Sequence, residues 1–194
     1  HSRFVGGVFA GMWRDVGGSW NGAVKLAVAP ADARLIATLE SPPLADAIRD
    51  INKFSNNVMA RQLFLTLSAE GSKDGGSAAA SIVTIREWLT RKNIAAPELV
   101  LENGSGLSRI ERISARSLGA VLLNAYASPV MPELMASLPV AAVDGTLRKR
   151  LKSAEVAGQA HVKTGSLSGV RAIAGYVLDA QGNRSVIVFL VNHA

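Results

Sequence analysis

Cysteine is absent from the 194 residues. Its absence excludes a disulfide framework, a cysteine nucleophile and any thiolate metal site. Histidine is scarce. His1, His161 and His193 form no H-x-x-x-H pair, which argues against a histidine-held metal. Nothing else in the chain implies a metal or other cofactor. Aromatic residues make up 5%, and 21 basic residues against 15 acidic ones leave a net charge of +6. The basic residues are scattered and no groove-entering motif appears, so nucleic acid ranks low among partners. No apolar run approaches the length of a membrane span, and the longest, Val186–Val191, is strand-sized. No cleavable signal peptide is visible and residue 1 is not methionine, so the chain is expected to be processed or partial.

What is present describes a globular chain. Hydrophobic residues reach 48% and charged residues only 19%. Phe4, Val5, Val8, Phe9, Met12, Trp13 and Val16 recur at helical intervals up to Gly17-Gly18, the pattern of a core-packing helix. Arg34–Leu39 has strand character, stopped by Pro42-Pro43. Helices are expected from Leu44 to about Asn52 and from Asn57 to Leu67, the second with Val58, Met59, Leu63 and Leu67 on one stripe. Glu70–Ser77 reads as a loop. Ala78–Lys92 reads as a helix, Pro97–Leu101 as a short strand, and Ser114 as the cap of a helix reaching Tyr126. The period then changes. His161–Leu167, Val170–Leu178 and Ser185–Asn192 read as three strands, the last two joined at Asp179–Asn183. Helices followed by adjacent strands give an α+β fold with an antiparallel sheet.

Two polar clusters stand out. Ser55-Asn56-Asn57 falls between two helices, and on its own it reads most simply as a helix cap. Lys163-Thr164-Gly165-Ser166 interrupts a strand with four residues that do not alternate, although an exposed edge lysine would explain it too. A glycine within a strand marks close approach of another chain, and a lysine beside two hydroxyls could hold a carboxylate. Gly104-Ser105-Gly106 lacks the spacing of a G-x-S-x-G nucleophile elbow and the lysine of a phosphate loop.

Together the clusters are more specific. Ser-x-Asn followed by Lys-Thr-Gly makes two of the three motifs of penicillin-binding proteins and serine β-lactamases. In order along the chain come Glu102–Arg109 (ENGSGLSR), Leu138–Ala141, Asp144–Leu147 (DGTL), Lys163–Leu167 (KTGSL) and Ala174–Val177. The sequence from about Leu35 onward closely resembles the D-alanyl-D-alanine carboxypeptidase/endopeptidase family of penicillin-binding proteins. The resemblance implies a β-lactamase/transpeptidase-like fold, an antiparallel sheet flanked by helices on both faces and here incomplete. It also implies a serine-type peptidase acting on peptidoglycan stem peptides through an acyl-enzyme, β-lactam binding, a periplasmic location and no cofactor. By the same resemblance, Ser55 relays a proton to the leaving amine, Asn57 binds the substrate backbone, and Lys163 holds Ser55 and the substrate carboxylate. Thr164 and Ser166 bind that carboxylate, Gly165 admits the substrate strand, and the Ser166 N–H is half of the oxyanion hole.

One motif is missing. The residues three places before the lysines are Gly22, Asp50, Glu70, Leu89, Thr146, Lys149 and Ala160, and none is serine. There is no Ser-x-x-Lys. The chain therefore reads as the C-terminal portion of such an enzyme, inactive alone. Residues 1–40 would return from a missing upstream region and 41–194 would carry the second and third motifs. Its partners would include that missing half, and the piece would be prone to self-association. The alternatives are a non-catalytic cell-wall peptide-binding module and a serine β-lactamase or esterase of the same fold. The ENGSGLSR and DGTL segments favour the peptidase.

Overall fold

The computed structural model describes residues 2–70, 72, 75–150, 152 and 155–193. They fall into two units that divide between Ser41 and Pro42. The first holds helix α1 (Ser2–Asp15), which ends where Gly17 takes φ 86° and its N–H bonds the Arg14 carbonyl. Phe9 stacks on Trp13 and meets Trp20 edge-on at 5.4 Å. The apolar stripe of α1 does not pack into a core as expected. Phe4 is 75% exposed, Val5 and Met12 are exposed as well, and Ala10 is the residue buried. Arg34–Leu39 forms no strand. Leu35, Ile36 and Leu39 are exposed, because β-propensity without a partner strand has nothing to pair or pack with.

The second unit begins with α2 (Leu44–Phe54) and α3 (Asn57–Ala69), which meet at Ser55 and Asn56. Pro43 stands at the N-cap of α2. α3 turns Phe64 inward rather than the expected stripe, since Val58 and Leu67 are exposed. Residues 71, 73 and 74 of the expected loop lie outside the described residues. α4 (Ala78–Arg91) begins at Ser77, whose Oγ accepts the Ala80 N–H. Its Leu89 packs with Ile94 and Leu99, flanked by Ile85, Trp88, Ile113 and Val121. The strand expected at Pro97–Leu101 shrinks to a single bridge between Val100 and Arg112. Helix α5 (Ala115–Tyr126) starts at the expected cap, Ser114, whose Oγ accepts the Ser117 N–H. α6 (Met131–Ser137) and a short 3-10 turn at Gly145–Leu147 follow.

Strands β1 (Ala160–Leu167), β2 (Val170–Leu178) and β3 (Arg184–Asn192) form an antiparallel sheet in sequence order. The β2–β3 turn is held by Asp179, whose carboxylate accepts the N–H groups of Gln181 and Asn183. The register pairs Val162 with Gly175 and Ile187, so alternation assigns the faces. One face carries Tyr176 and Val188 and is covered by α5: the Tyr176 hydroxyl donates to the Leu122 carbonyl at 2.7 Å. The other carries Ala160, Val162, Ile173, Val177 and Ile187, which pack with Ala141 and Leu147. Farther along this second face Phe189 and Val191 are 60% and 53% exposed. The α+β architecture with an antiparallel sheet is thus present. Among the described residues its helical layer covers one face, which is the sense in which the fold is incomplete. No helix among the described residues is long and apolar enough to cross a membrane.

Candidate active site

Ser55 closes α2 in the left-handed region, φ 53° and ψ 48°. Asn56 caps α3, its Oδ1 accepting the Met59 N–H at 3.1 Å. The capping role read for this cluster therefore belongs to Asn56 alone. The abrupt reversal turns both Ser55 and Asn57 toward a cleft of about 550 Å³. The same cleft is lined by Gly104–Leu107, Thr146, Arg150 and Lys163–Ser166, so the structure brings all six expected residues to one place.

Lys163 joins the two motifs directly. Its Nζ donates to Ser55 Oγ at 2.5 Å and to the Thr164 carbonyl at 3.0 Å. Burial pushes the Lys163 ammonium below the ordinary lysine range, because the charged form loses hydration there. Asn57 uses its Nδ2 to donate to the Ser105 carbonyl at 2.7 Å, tying α3 to the glycine-flanked loop. That loop is fixed in turn by Glu111. One carboxylate oxygen accepts the N–H groups of Glu102, Asn103 and Gly104 at 3.1, 3.1 and 3.3 Å. Gly104 takes φ 67°, and a Cβ there would collide with the Phe64 side chain, so the loop needs glycine for both conformation and space.

The outer edge of β1 is covered along half its length. Ala141 N–H donates to the Ala160 carbonyl and Val162 N–H to the Pro139 carbonyl. In an antiparallel strand every second residue turns both backbone groups the same way. The N–H groups of Thr164 and Ser166 therefore point along the same open edge, where nothing continues the pairing among the described residues. A short extended peptide could add there as a further strand. Gly165 sits opposite Ala172, whose Cβ would lie 3.3 Å from any Cβ added at Gly165.

A second polar link was not legible in the sequence. Lys53 is buried and donates to the Leu138 carbonyl at 2.6 Å and to Asp144 Oδ2 at 2.7 Å. Asp144 Oδ1 also accepts the Val140 N–H at 2.8 Å. Partial burial raises the Asp144 carboxyl, but the hydrogen bonds from Lys53 and Val140 and the Lys53 charge outweigh it and hold the group below the usual carboxylate range. This clamp ties the end of α2, two residues before Ser55, to the DGTL turn. Lys53 lies in the last turn of α2 and carries no local signal of a partner 91 residues away.

The profile of the D-Ala-D-Ala carboxypeptidase 3 (S13) family matches residues 1–194. The D-alanyl-D-alanine carboxypeptidase DacB of Haemophilus influenzae is 31% identical over 181 residues, covering 92% of this chain and 38% of its own length. A D-alanyl-D-alanine carboxypeptidase of Actinomadura sp. is 32% identical over 201 residues, covering 100% of this chain and 37% of its own. The crystal structure of penicillin binding protein 4 from Haemophilus influenzae, complexed with a β-lactam, matches with a TM-score of 0.81 at 30% identity. That match covers 97% of this chain and 44% of the other. The chain thus spans well under half the length of these relatives. Sequence, fold and the meeting of the Ser-x-Asn and Lys-Thr-Gly motifs agree, and the chain belongs to the D-Ala-D-Ala carboxypeptidase 3 (S13) family.

Proposed function

We propose that these residues form the proton-relay and carboxylate-anchoring part of a serine-type, penicillin-binding D-Ala-D-Ala peptidase. Its substrate is the peptidoglycan stem peptide, its place the periplasm, and its nucleophilic serine lies outside this sequence. The observation that carries the reading is the hydrogen bond from Lys163 Nζ to Ser55 Oγ, which joins two motifs 108 residues apart inside one cleft. Residues 41–194 hold these motifs, and residues 1–40 are read as a segment returning from upstream.

The chemistry follows from the groups. Acyl transfer from a peptide requires a proton on the departing amine. Ser55 can give its hydroxyl proton to that amine and take one from Lys163, whose depressed affinity for protons eases the exchange. Thr164 and Ser166 offer hydroxyls to the carboxylate that ends the substrate, and the open β1 edge receives its backbone. The Ser166 N–H, directed along that edge, is suited to an oxyanion. Asn57, steadied by Ser105, orients the substrate amide.

The test is acylation by benzylpenicillin, read by intact mass. The 194-residue chain is expected to gain no mass. A longer chain that carries these residues together with a Ser-x-x-Lys segment is expected to gain one penicilloyl unit. In that longer chain Ser55→Ala and Lys163→Ala should each slow acylation by about a hundredfold or more, the usual worth of a positioned acid or base. A covalent adduct on the 194-residue chain would place a nucleophile inside it and overturn the reading.

A further inference from the structure

One segment outside the two motifs is bonded to both of the elements that carry them. The carbonyls of Leu138 and Pro139 are neighbours in the chain. The first accepts Lys53 Nζ at 2.6 Å, two residues before Ser55. The second accepts the Val162 N–H at 2.9 Å, one residue before Lys163. Residues 137–145 thus run as a strut between the end of α2 and the outer edge of β1. On the β1 side the Ala141 N–H adds a bond to the Ala160 carbonyl. On the α2 side the remaining links are side chains. Asn52 Nδ2 donates to the buried Ser137 Oγ at 2.8 Å, and Lys53 Nζ donates to Asp144 Oδ2 at 2.7 Å.

Asp144 also closes the strut on itself, because its Oδ1 accepts the Val140 N–H. Gly145, at φ 54°, then lies against α2, where a Cβ would come within 2.8 Å of the Lys53 carbonyl oxygen. The Ser55 and Asn56 N–H groups both donate to the Ile51 carbonyl, so the serine moves with the last turn of α2. An ion pair with one buried partner is ordinarily only a folding contact. This one ends two residues short of a serine held at φ 53°, and such a conformation persists only where its surroundings over-determine it.

We propose that Lys53 and Asp144 are positioning residues that hold the Ser55 hydroxyl against Lys163 through this strut. They set the rate of the proton relay and leave the affinity for the substrate unchanged. The assignment rests on the proton-relay reading above and adds to it a pair outside the two motifs.

The experiment follows benzylpenicillin acylation by intact mass in the longer chain that carries a Ser-x-x-Lys segment. Asparagine at 144 offers one side-chain oxygen where the carboxylate offers two, so Val140 and Lys53 cannot both be satisfied. Asp144→Asn and Lys53→Met should each lower the limiting acylation rate about tenfold or more, the usual cost of a small misplacement. The half-saturating benzylpenicillin concentration should move by no more than about twofold, and the double variant should be no slower than the slower single one, because the two residues act as one link. The deciding comparison is made in Ser55→Ala. There Asp144→Asn should change the residual rate by no more than about twofold, since the residue it acts through is gone. Asp144 is partly exposed, so Asp144→Asn decides the matter even if Lys53→Met fails to fold. An undiminished rate in Asp144→Asn overturns the role of the pair and leaves the relay reading standing. An equal further loss in Ser55→Ala also overturns it, because the effect would then be a general distortion of the site. A wild-type longer chain that is not acylated overturns the relay reading and the role of the pair with it.

Discussion

Ser55 occupies a backbone conformation that costs a non-glycine residue about 1 kcal/mol. The strain buys position: the left-handed turn breaks α2 from α3 and sets the hydroxyl against Lys163. Ser55→Gly is therefore expected to raise stability by about 0.5–1 kcal/mol and to abolish proton relay. Urea unfolding measures the first effect, and a midpoint that falls would mean that the Lys163 hydrogen bond outweighs the strain. The pairing of Ser55 with Lys163 was legible because both lie in motifs whose chemistry demands contact. Lys53 was not, since a lysine near a helix end has no signature of burial until Asp144 and the Leu138 carbonyl are folded against it. Glu111 escaped for a similar reason. A glutamate eight residues beyond Asn103 looks like surface charge until the loop curls its amides onto one oxygen.

Elements were readable where the chain itself holds the information. α2, α4, α5 and the three strands follow apolar periodicity, caps and turns, and Ser114 caps α5 as its sequence implies. Arg34–Leu39 and Pro97–Leu101 read as strands on composition alone, and without a neighbouring strand neither became one. The start of α5 offers an element-scale test. Hydrogen bonds from the Ser114 and Ser117 side chains lead the causes that lower the Glu98 carboxyl from 4.5 to about 2. Ser117 Oγ donates to Glu98 Oε1 at 2.6 Å, and the Ser114 N–H donates to the same oxygen at 3.0 Å. A carboxyl depressed by folding stabilises the native state above its unfolded value and loses that contribution as pH falls toward the folded one. Wild-type stability should thus decline from about pH 4.5 downward, with Asp144 and Asp179, also depressed, acting in the same direction. Glu98→Gln is expected to flatten part of that decline. Melting temperatures followed by circular dichroism from pH 6 to 3 decide it, and parallel curves for the two proteins would sink the assignment.

For the whole molecule, the balance between a modest charge and a large exposed apolar surface sets behaviour in solution. β3 ends the sheet with no strand beyond it among the described residues, and its Phe189 and Val191 are exposed on the face that lacks a helical layer. α1 adds Phe4, Val5, Phe9 and Met12 on its own surface. An unpaired apolar edge recruits another chain by extending the ladder, whereas a lysine placed there discourages it. A net charge of +6 opposes association only weakly, and salt screens it. The 194-residue chain is expected to run as a dimer or larger in light-scattering chromatography at micromolar concentration. Going from about 0.1 to 1 M salt should increase its mass, since apolar burial persists while repulsion fades. Phe189→Lys with Val191→Lys should return it toward a monomer without disturbing the Ser55–Lys163 pair, because Lys163 lies on the opposite face of the sheet. A wild-type monomer at both salt concentrations would mean that the exposed face of β3 is tolerated in water. An oligomer unchanged by the two lysines would instead move the contact to α1, where Phe4→Lys and Met12→Lys make the corresponding trial.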